Sequence, residues 1–246
     1  MRFDTGVEAV ASRQARNSAA YWAATGRSRG HRVVERDGFL AVVGDVRAGT
    51  RVLIQRPDLS RREVTEIRAL FDDAAGPFDV EDPFSVTDLI DTGMRSWQMP
   101  IMVRAAGPVD PPQLDVVRVA DEAGLAAAER VVISGFELSR FEPHRPGEMF
   151  PVALLEEPGV AVFIAIIEDA VAGACVTVED DGVGSHYWVG TPAGLRSRGV
   201  GRAVMLGSLA PLSRVPVTLT ASRLGRPLYE SLGYVAATDS TWWSSS

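Results

Sequence analysis

Arg196-Ser197-Arg198-Gly199-Val200-Gly201-Arg202-Ala203 reads R-x-x-G-x-G, between an apolar strand-like run and an apolar helix-like run. The two glycines let backbone approach a ligand with no Cβ in the way. They also open a helix whose free N–H groups and positive dipole end favour a phosphate. The segment therefore points to a cofactor that carries a diphosphate. The plainer alternative is a tight turn before a helix, because Gly-x-Gly alone is a weak pattern. A dinucleotide fingerprint needs a third glycine at position 204, which is Val204. A Walker loop needs Gly-Lys-Ser/Thr, and the chain contains no lysine.

Composition narrows the classes. The 246 residues are 46% hydrophobic and 23% charged, ordinary values for a globular protein with room for one large or two small domains. A net charge of −7 argues against general affinity for nucleic acid or anionic membranes. No apolar run is long enough to span a bilayer. Glu8, Arg13, Gln14 and Arg16 interrupt the N-terminal stretch, so it does not read as a secretory signal, and the expected location is cytoplasmic. The single cysteine, Cys175, sits in an apolar run and reads as a small core residue. His31, His144 and His186 lie far apart, and no metal-site spacing is present. Without lysine there is no Schiff-base chemistry.

Ala105 to Pro112 is rich in Pro and Gly and lacks periodicity. It suggests an N-terminal domain at 1–106, a linker at 107–113 and a second domain at 114–246. The second domain reads as a strand at Leu114 to Ala120, then a helix capped by Asp121 and running to about Phe136. A short helix or turn near Val152 to Glu156 precedes three strands, at Val160 to Glu168, Ala170 to Val178 and Val183 to Val189, with Asp180-Asp181-Gly182 as a hairpin turn. A helix from Gly199 to Leu212, a strand at Val215 to Ala221, a helix starting at Pro227 and stopped by Gly233, and a last strand complete it. The order mixes hairpins with crossover helices, so the fold class is α+β with a mixed central sheet flanked by helices.

The first half reads as a partial copy. A strand at Arg51 to Ile54 leads to a helix from Ser60 to Ala74, a short strand near Phe78, a helix from Phe84 to Thr92 stopped by Gly93, and a strand to Arg104. At its helix start, Ser60 and Glu63 form a capping box where the second half has glycines. That puts a carboxylate where a phosphate would sit. The first half is therefore not expected to bind the cofactor.

From about Val116 to Trp243 the chain resembles the GCN5-related N-acetyltransferase superfamily. The resemblance rests on Val189-Gly190-Thr191, on Arg196 to Gly201, and on Ala221-Ser222-Arg223-Leu224-Gly225-Arg226-Pro227-Leu228-Tyr229-Glu230-Ser231-Leu232-Gly233-Tyr234. It implies an acyl-CoA N-acyltransferase fold in two tandem halves, the first degenerate. It implies acetyl-CoA, or another acyl-CoA, as donor. The pyrophosphate would lie on Ser197, Arg198, Gly199, Val200, Gly201 and Arg202, beside Arg196. The pantetheine would run along Val189, Gly190 and Thr191, with a backbone N–H near Val189 polarising the thioester carbonyl. Ser222 would lie near the cofactor, or else serve as a strand-end cap. Tyr229 matches the tyrosine that protonates the leaving thiolate, or else packs its ring on the sheet.

The general base is the open position. The strand at Val183 to Val189 carries no carboxylate, and its only imidazole is His186. Glu137 ends the first helix of the second half, in the segment that forms a substrate wall in the family. Glu142, His144 and Glu148 follow it. Glu137 is a candidate base or amine anchor, and His186 a candidate base, each with a packing or solvated alternative. The implied partners are acetyl-CoA and a small amine or peptide, without nucleic acid, membrane or metal, in a monomer or homodimer. The implied reaction is direct transfer in a ternary complex. The alternatives are a non-catalytic acyl-CoA-binding module and an interaction platform.

Overall fold

Tertiary contacts divide the chain, in a computed structural model that describes residues 6–245, into two units. The first unit holds the residues up to Val103 together with those from Thr218 onward, and the second is Arg104–Val217. The first begins with α1 (Val7–Ser28), β1 (Arg32–Glu35), β2 (Phe39–Val43), β3 (Thr50–Ile54), α2 (Arg61–Asp72), β4 (Phe78–Asp82) and β5 (Arg95–Arg104). The second contains β6 (Asp115–Arg118), α3 (Glu122–Gly135), β7 (Val160–Ile167), β8 (Ala170–Asp180), β9 (Val183–Gly190) and α4 (Val200–Leu209). The chain returns to the first unit through β10 (Val217–Thr220), α5 (Arg226–Ser231) and β11 (Val235–Ser244).

In the first unit the strand order is β1-β2-β3-β4-β11-β5-β10. β3 and β4 are parallel, joined by the α2 crossover, while β1–β2, β2–β3, β4–β11 and β11–β5 are antiparallel, so the sheet is mixed. β11 lies between β4 and β5, with Trp242 opposite Glu81 on one side and Trp97 on the other. Residues 218 onward therefore group with the N-terminal strands, whereas the linker suggested consecutive domains at 1–106 and 114–246. A Pro/Gly stretch marks a break in the chain and carries no information about which distant strand a later segment will join.

Alternation along the strands sorts the two faces. Phe39, Val52, Ile54, Val80 and Trp243 pack with Ile67 of α2. Leu40, Val42 and Leu53 pack with Ala23 of α1. The capping box at the start of α2 is present: Ser60 Oγ accepts from Glu63 N, and Glu63 accepts from Ser60 N. The helix expected over Phe84 to Thr92 is reduced to one turn of 3₁₀ helix at Ile90–Thr92. The buried Asp82 carboxylate accepts from the amides of Phe84, Val86 and Thr87, which bends this backbone into turns instead.

The inner face of α1 carries polar side chains among its apolar ones. Gln14, Asn17 and Ser18 are each 1% exposed, beside a fully buried Tyr21. Ser18 Oγ donates to the buried Glu81 carboxyl at 2.7 Å. Burial pushes the Glu81 carboxyl above its usual range, against the opposing pull of Ser18, Arg51 and Gln14. A raised folded-state value means that Glu81's contribution is fully present below the ordinary carboxylate range and is lost as pH rises through that value. Glu81→Gln is accordingly expected to flatten the fall in stability as pH rises above the ordinary carboxylate range in urea unfolding, and to be the more stable form at the upper end. A parallel pH profile for the two proteins would contradict this.

The second unit is an antiparallel sheet in the order β9-β8-β7-β6. Asp181 and Gly182 turn the β8–β9 hairpin, both with positive φ. Val200 and Val204 of α4 cover one face with Phe163, Ala165 and Cys175. α3 packs on β7, β8 and β9. Among the described residues, no helix is long and apolar enough to cross a membrane.

Candidate active site

The glycine loop enters α4 as the sequence suggests. Ser197 (φ 61°) and Gly199 (φ 80°) are both left-handed, and Gly199 is the N-cap. No side-chain hydrogen bond caps the helix at Gly199, and the first-turn residues are Val200, Gly201 and Arg202. Ser197, Arg198, Gly199 and Arg202 are exposed. Successive amides before a helix of this kind make an anion-binding concavity. Arg196 serves the loop differently: its guanidinium donates to the carbonyls of Thr191 (3.3 Å) and Gly135 (3.1 Å). It ties the loop to the end of β9 and to the last turn of α3.

β9 carries a bulge beside that loop. Its register with β8 shifts so that Trp188 and Val189 both lie between the Val176–Tyr187 and Ala174–Gly190 pairs. Trp188 is left-handed (φ 54°), a costly conformation for a bulky residue. The bulge takes backbone here out of the regular ladder. It also resets the alternation. Trp188 meets the Phe136 ring of α3 edge-on at 5.2 Å, and Val189 joins the α4-side core. Strict period two would place Trp188 on the face of His186, and without a glycine at 188 the sequence gives no sign of the bulge.

Glu137 follows directly on Phe136. α3 ends in a Schellman motif: Leu138 N donates to Ile133 O at 2.9 Å, and Glu137 occupies the left-handed position (φ 54°) that glycine usually fills. Glu137 is exposed, and the Phe136 ring that meets Trp188 belongs to the residue just before it.

His186 lies apart from this surface. It is buried, and its Nε2 is 2.9 Å from Ser208 Oγ on α4. Ser208 Oγ also lies 3.1 Å from the Met205 carbonyl. Burial pushes the His186 pKa down to about 3. A shielded ring whose charged form is so disfavoured agrees with the packing alternative for His186. Cys175 is likewise core, its buried thiol pushed up to about 12.

Ser222 and Tyr229 belong to the first unit. Ser222 Oγ accepts from Gly225 N at 3.1 Å, just ahead of α5, so it has the capping geometry. Tyr229 is 8% exposed and meets Tyr234 edge-on at 6.0 Å, and a Cβ on Gly225 would lie 2.8 Å from its ring.

One organising residue was not among the sequence candidates. Glu129 of α3 is fully buried. Its Oε1 accepts from Met149 N (2.7 Å) and Phe150 N (2.6 Å), and its Oε2 from Gly147 N (3.0 Å) and His144 Nε2 (2.9 Å). It fixes the segment that follows Glu137. A charged residue on the apolar side of a helix was the available signal, because such a carboxylate is buried only when paired. Among the described residues, no group of three or more His, Cys, Asp or Glu could hold a metal ion.

Comparison with solved structures places this architecture. A GCN5-related N-acetyltransferase from Kribbella flavida superposes with a TM-score of 0.63 at 18% identity, covering 95% of both chains. The chain has the GCN5-related N-acetyltransferase fold. A member from Sphaerobacter thermophilus aligns with a TM-score of 0.52 at 14% identity, over 84% of this chain and 76% of that one. A GCN5-related N-acetyltransferase-like protein from Streptococcus suis gives 0.51 at 12% identity, over 87% and 88%. No family model matches the sequence, and no curated protein matches it.

Proposed function

We propose that the chain is an acyl-CoA-dependent N-acetyltransferase with one active site, built on the second unit's loop and bulge. The observation that carries this is the uncapped start of α4, led in by two left-handed residues, beside a bulge in β9. The amides of Val200, Gly201 and Arg202 would hold the pyrophosphate, with Arg198 and Arg202 at its rim. The backbone at Val189 would face the thioester carbonyl and stabilise the oxyanion. In the transfer, the amine nitrogen bonds to the acyl carbon and the carbon–sulfur bond breaks. The electron pair leaves on sulfur, and the amine's proton goes to a base. Glu137 is assigned that proton, directly or through water. Tyr229 is assigned the delivery of a proton to sulfur on the resemblance alone, and Tyr229→Phe with full turnover would remove it.

Strain supports the Glu137 assignment. A non-glycine residue in this conformation costs on the order of 1 kcal/mol, and here that residue is a carboxylate. Glu137→Gly is expected to raise the melting temperature by about 2–4 °C while lowering turnover about a hundredfold or more. Unchanged turnover would remove Glu137 from the chemistry, and a lower melting temperature would refute the strain argument.

The corresponding helix start in the first unit is already occupied by a side chain. Glu63 already accepts from Ser60 N, Ser60 Oγ and Gly38 N at the start of α2. Calorimetry with acetyl-CoA is therefore expected to give one site per chain. Thiol release from acetyl-CoA with a panel of amines tests the activity. One-site binding without release for any amine would favour the non-catalytic acyl-CoA-binding module.

A further inference from the structure

We propose that the first unit carries a second ligand site, on the α1 face of its sheet, which takes an uncharged polyhydroxylated ring such as a pyranoside. The site shares no residue with the acyl-transfer reading and does not depend on it.

The α1 face follows from the strand alternation. Val52, Val80 and Trp243 face the α2 core, so Arg51, Asp79, Glu81 and Trp242 face α1. Direct contacts agree: Ser18 of α1 bonds Glu81, and Trp22 of α1 lies 4.2 Å from the Arg51 guanidinium. The same guanidinium lies 5.5 Å from the Trp242 ring. Trp97 is the ladder partner of Trp242 and so shares its face, 42% exposed. A row of three indoles, with Arg51 between the first two, thus runs from beneath α1 to the surface.

The polar groups of this face are incompletely matched. Arg51 Nη1 and Trp242 Nε1 are shielded from solvent and have no acceptor, and Gln14 Oε1 has no donor. Ser240 Oγ, two residues before Trp242 on the same face, is also buried without a partner. Orphaned groups of this kind cost about 1–3 kcal/mol each unless an additional molecule pairs with them.

Charge and shape then select the ligand class. Arg51 is neutralised by Asp79 at 3.0 Å, and burial favours the neutral form of Glu81. A charged ligand would therefore be buried without a counter-charge. A wholly apolar ligand would leave the orphaned donors and acceptor unpaired. Hydroxyls supply both donors and acceptors without charge. The flat apolar face of a sugar ring suits an indole platform.

The test is a titration of the full, isotope-labelled chain with the methyl pyranosides of glucose, galactose, mannose and N-acetylglucosamine in turn, up to tens of millimolar. The five indole N–H signals are followed, each assigned by a Trp→Phe variant. At least one sugar is expected to shift the Trp242 and Trp97 signals saturably while Trp188, in the second unit, stays in place. Trp97→Ala, at an exposed position, is expected to weaken that binding about five- to tenfold. The proposal fails if no sugar gives a saturable shift, or if Trp97→Ala binds as well as the parent. It also fails if crystals soaked in the sugars show only ordered water bridging Arg51 Nη1 and Trp242 Nε1.

Discussion

Glu129→Gln is expected to destabilise the second unit by about 3 kcal/mol, equivalent to a melting temperature lower by about 6–12 °C. Each carboxylate oxygen of Glu129 faces two N–H donors, and none of the four is replaceable by solvent at a fully buried carboxylate. A glutamine must turn its NH₂ toward one of those pairs. Toward Oε1 it meets the amides of Met149 and Phe150, and two donors are left facing a third. Toward Oε2, His144 can accept only by moving its proton to Nδ1, which gives up the bond from Arg130 Nε, and the Gly147 amide stays unpaired. The second arrangement costs less, so it sets the expected loss. Glu129→Leu removes every acceptor and is expected to cost more, on the order of 5 kcal/mol. Urea unfolding measures both, and amide exchange at Gly147, Met149 and Phe150 shows where the change falls. A loss below about 1 kcal/mol for Glu129→Gln would mean that the segment is held by other contacts.

These hydrogen bonds also explain a limit of reading the sequence. Glu142, His144 and Glu148 suggested a solvated acidic wall. His144 instead donates to Glu129, while its own amide donates to Glu142. A linear chain shows charges but not which of them are already paired across a fold. The same holds for α1. Its buried side mixes Gln14, Asn17, Ser18 and Thr25 with Val10, Tyr21 and several small alanines, so the apolar period that reveals a helix is weak. α2 and α4 were legible because their boundaries are written locally, in Ser60 with Glu63 and in Gly199 with Gly201. β7 and β8 were legible as long apolar runs. β1 and β2 flank Asp37-Gly38, a hairpin signal that the sequence does carry. The bulge at Trp188 and the insertion of β11 between β4 and β5 depend on partners far along the chain, and no local pattern encodes them.

The phosphate loop gives the sharpest separation between folding and binding. Gly201→Glu is expected to leave the free protein at least as stable as the parent and to abolish stabilisation by acetyl-CoA. The two effects have opposite signs for one reason. Gly201 is the second residue of α4, whose first turn has no side-chain cap. A glutamate there is a better helix former than glycine by roughly 0.5–1 kcal/mol, and its charge suits the positive end of the helix dipole. The same charge stands where the pyrophosphate would lie. The first unit already shows this arrangement: Glu63 takes the amides of Ser60 and Gly38, and that helix start is closed to an anion. At a ligand concentration about one hundred times Kd the parent should gain about 2.7 kcal/mol, and the variant none. A control at Arg196 tests the neighbouring assignment. Arg196→Ala removes the ties to Thr191 and Gly135, so it should loosen the loop and weaken binding about tenfold without abolishing it. If Gly201→Glu keeps the parent's affinity, the start of α4 does not hold the pyrophosphate. The acyl-CoA reading would then lose the observation on which it stands.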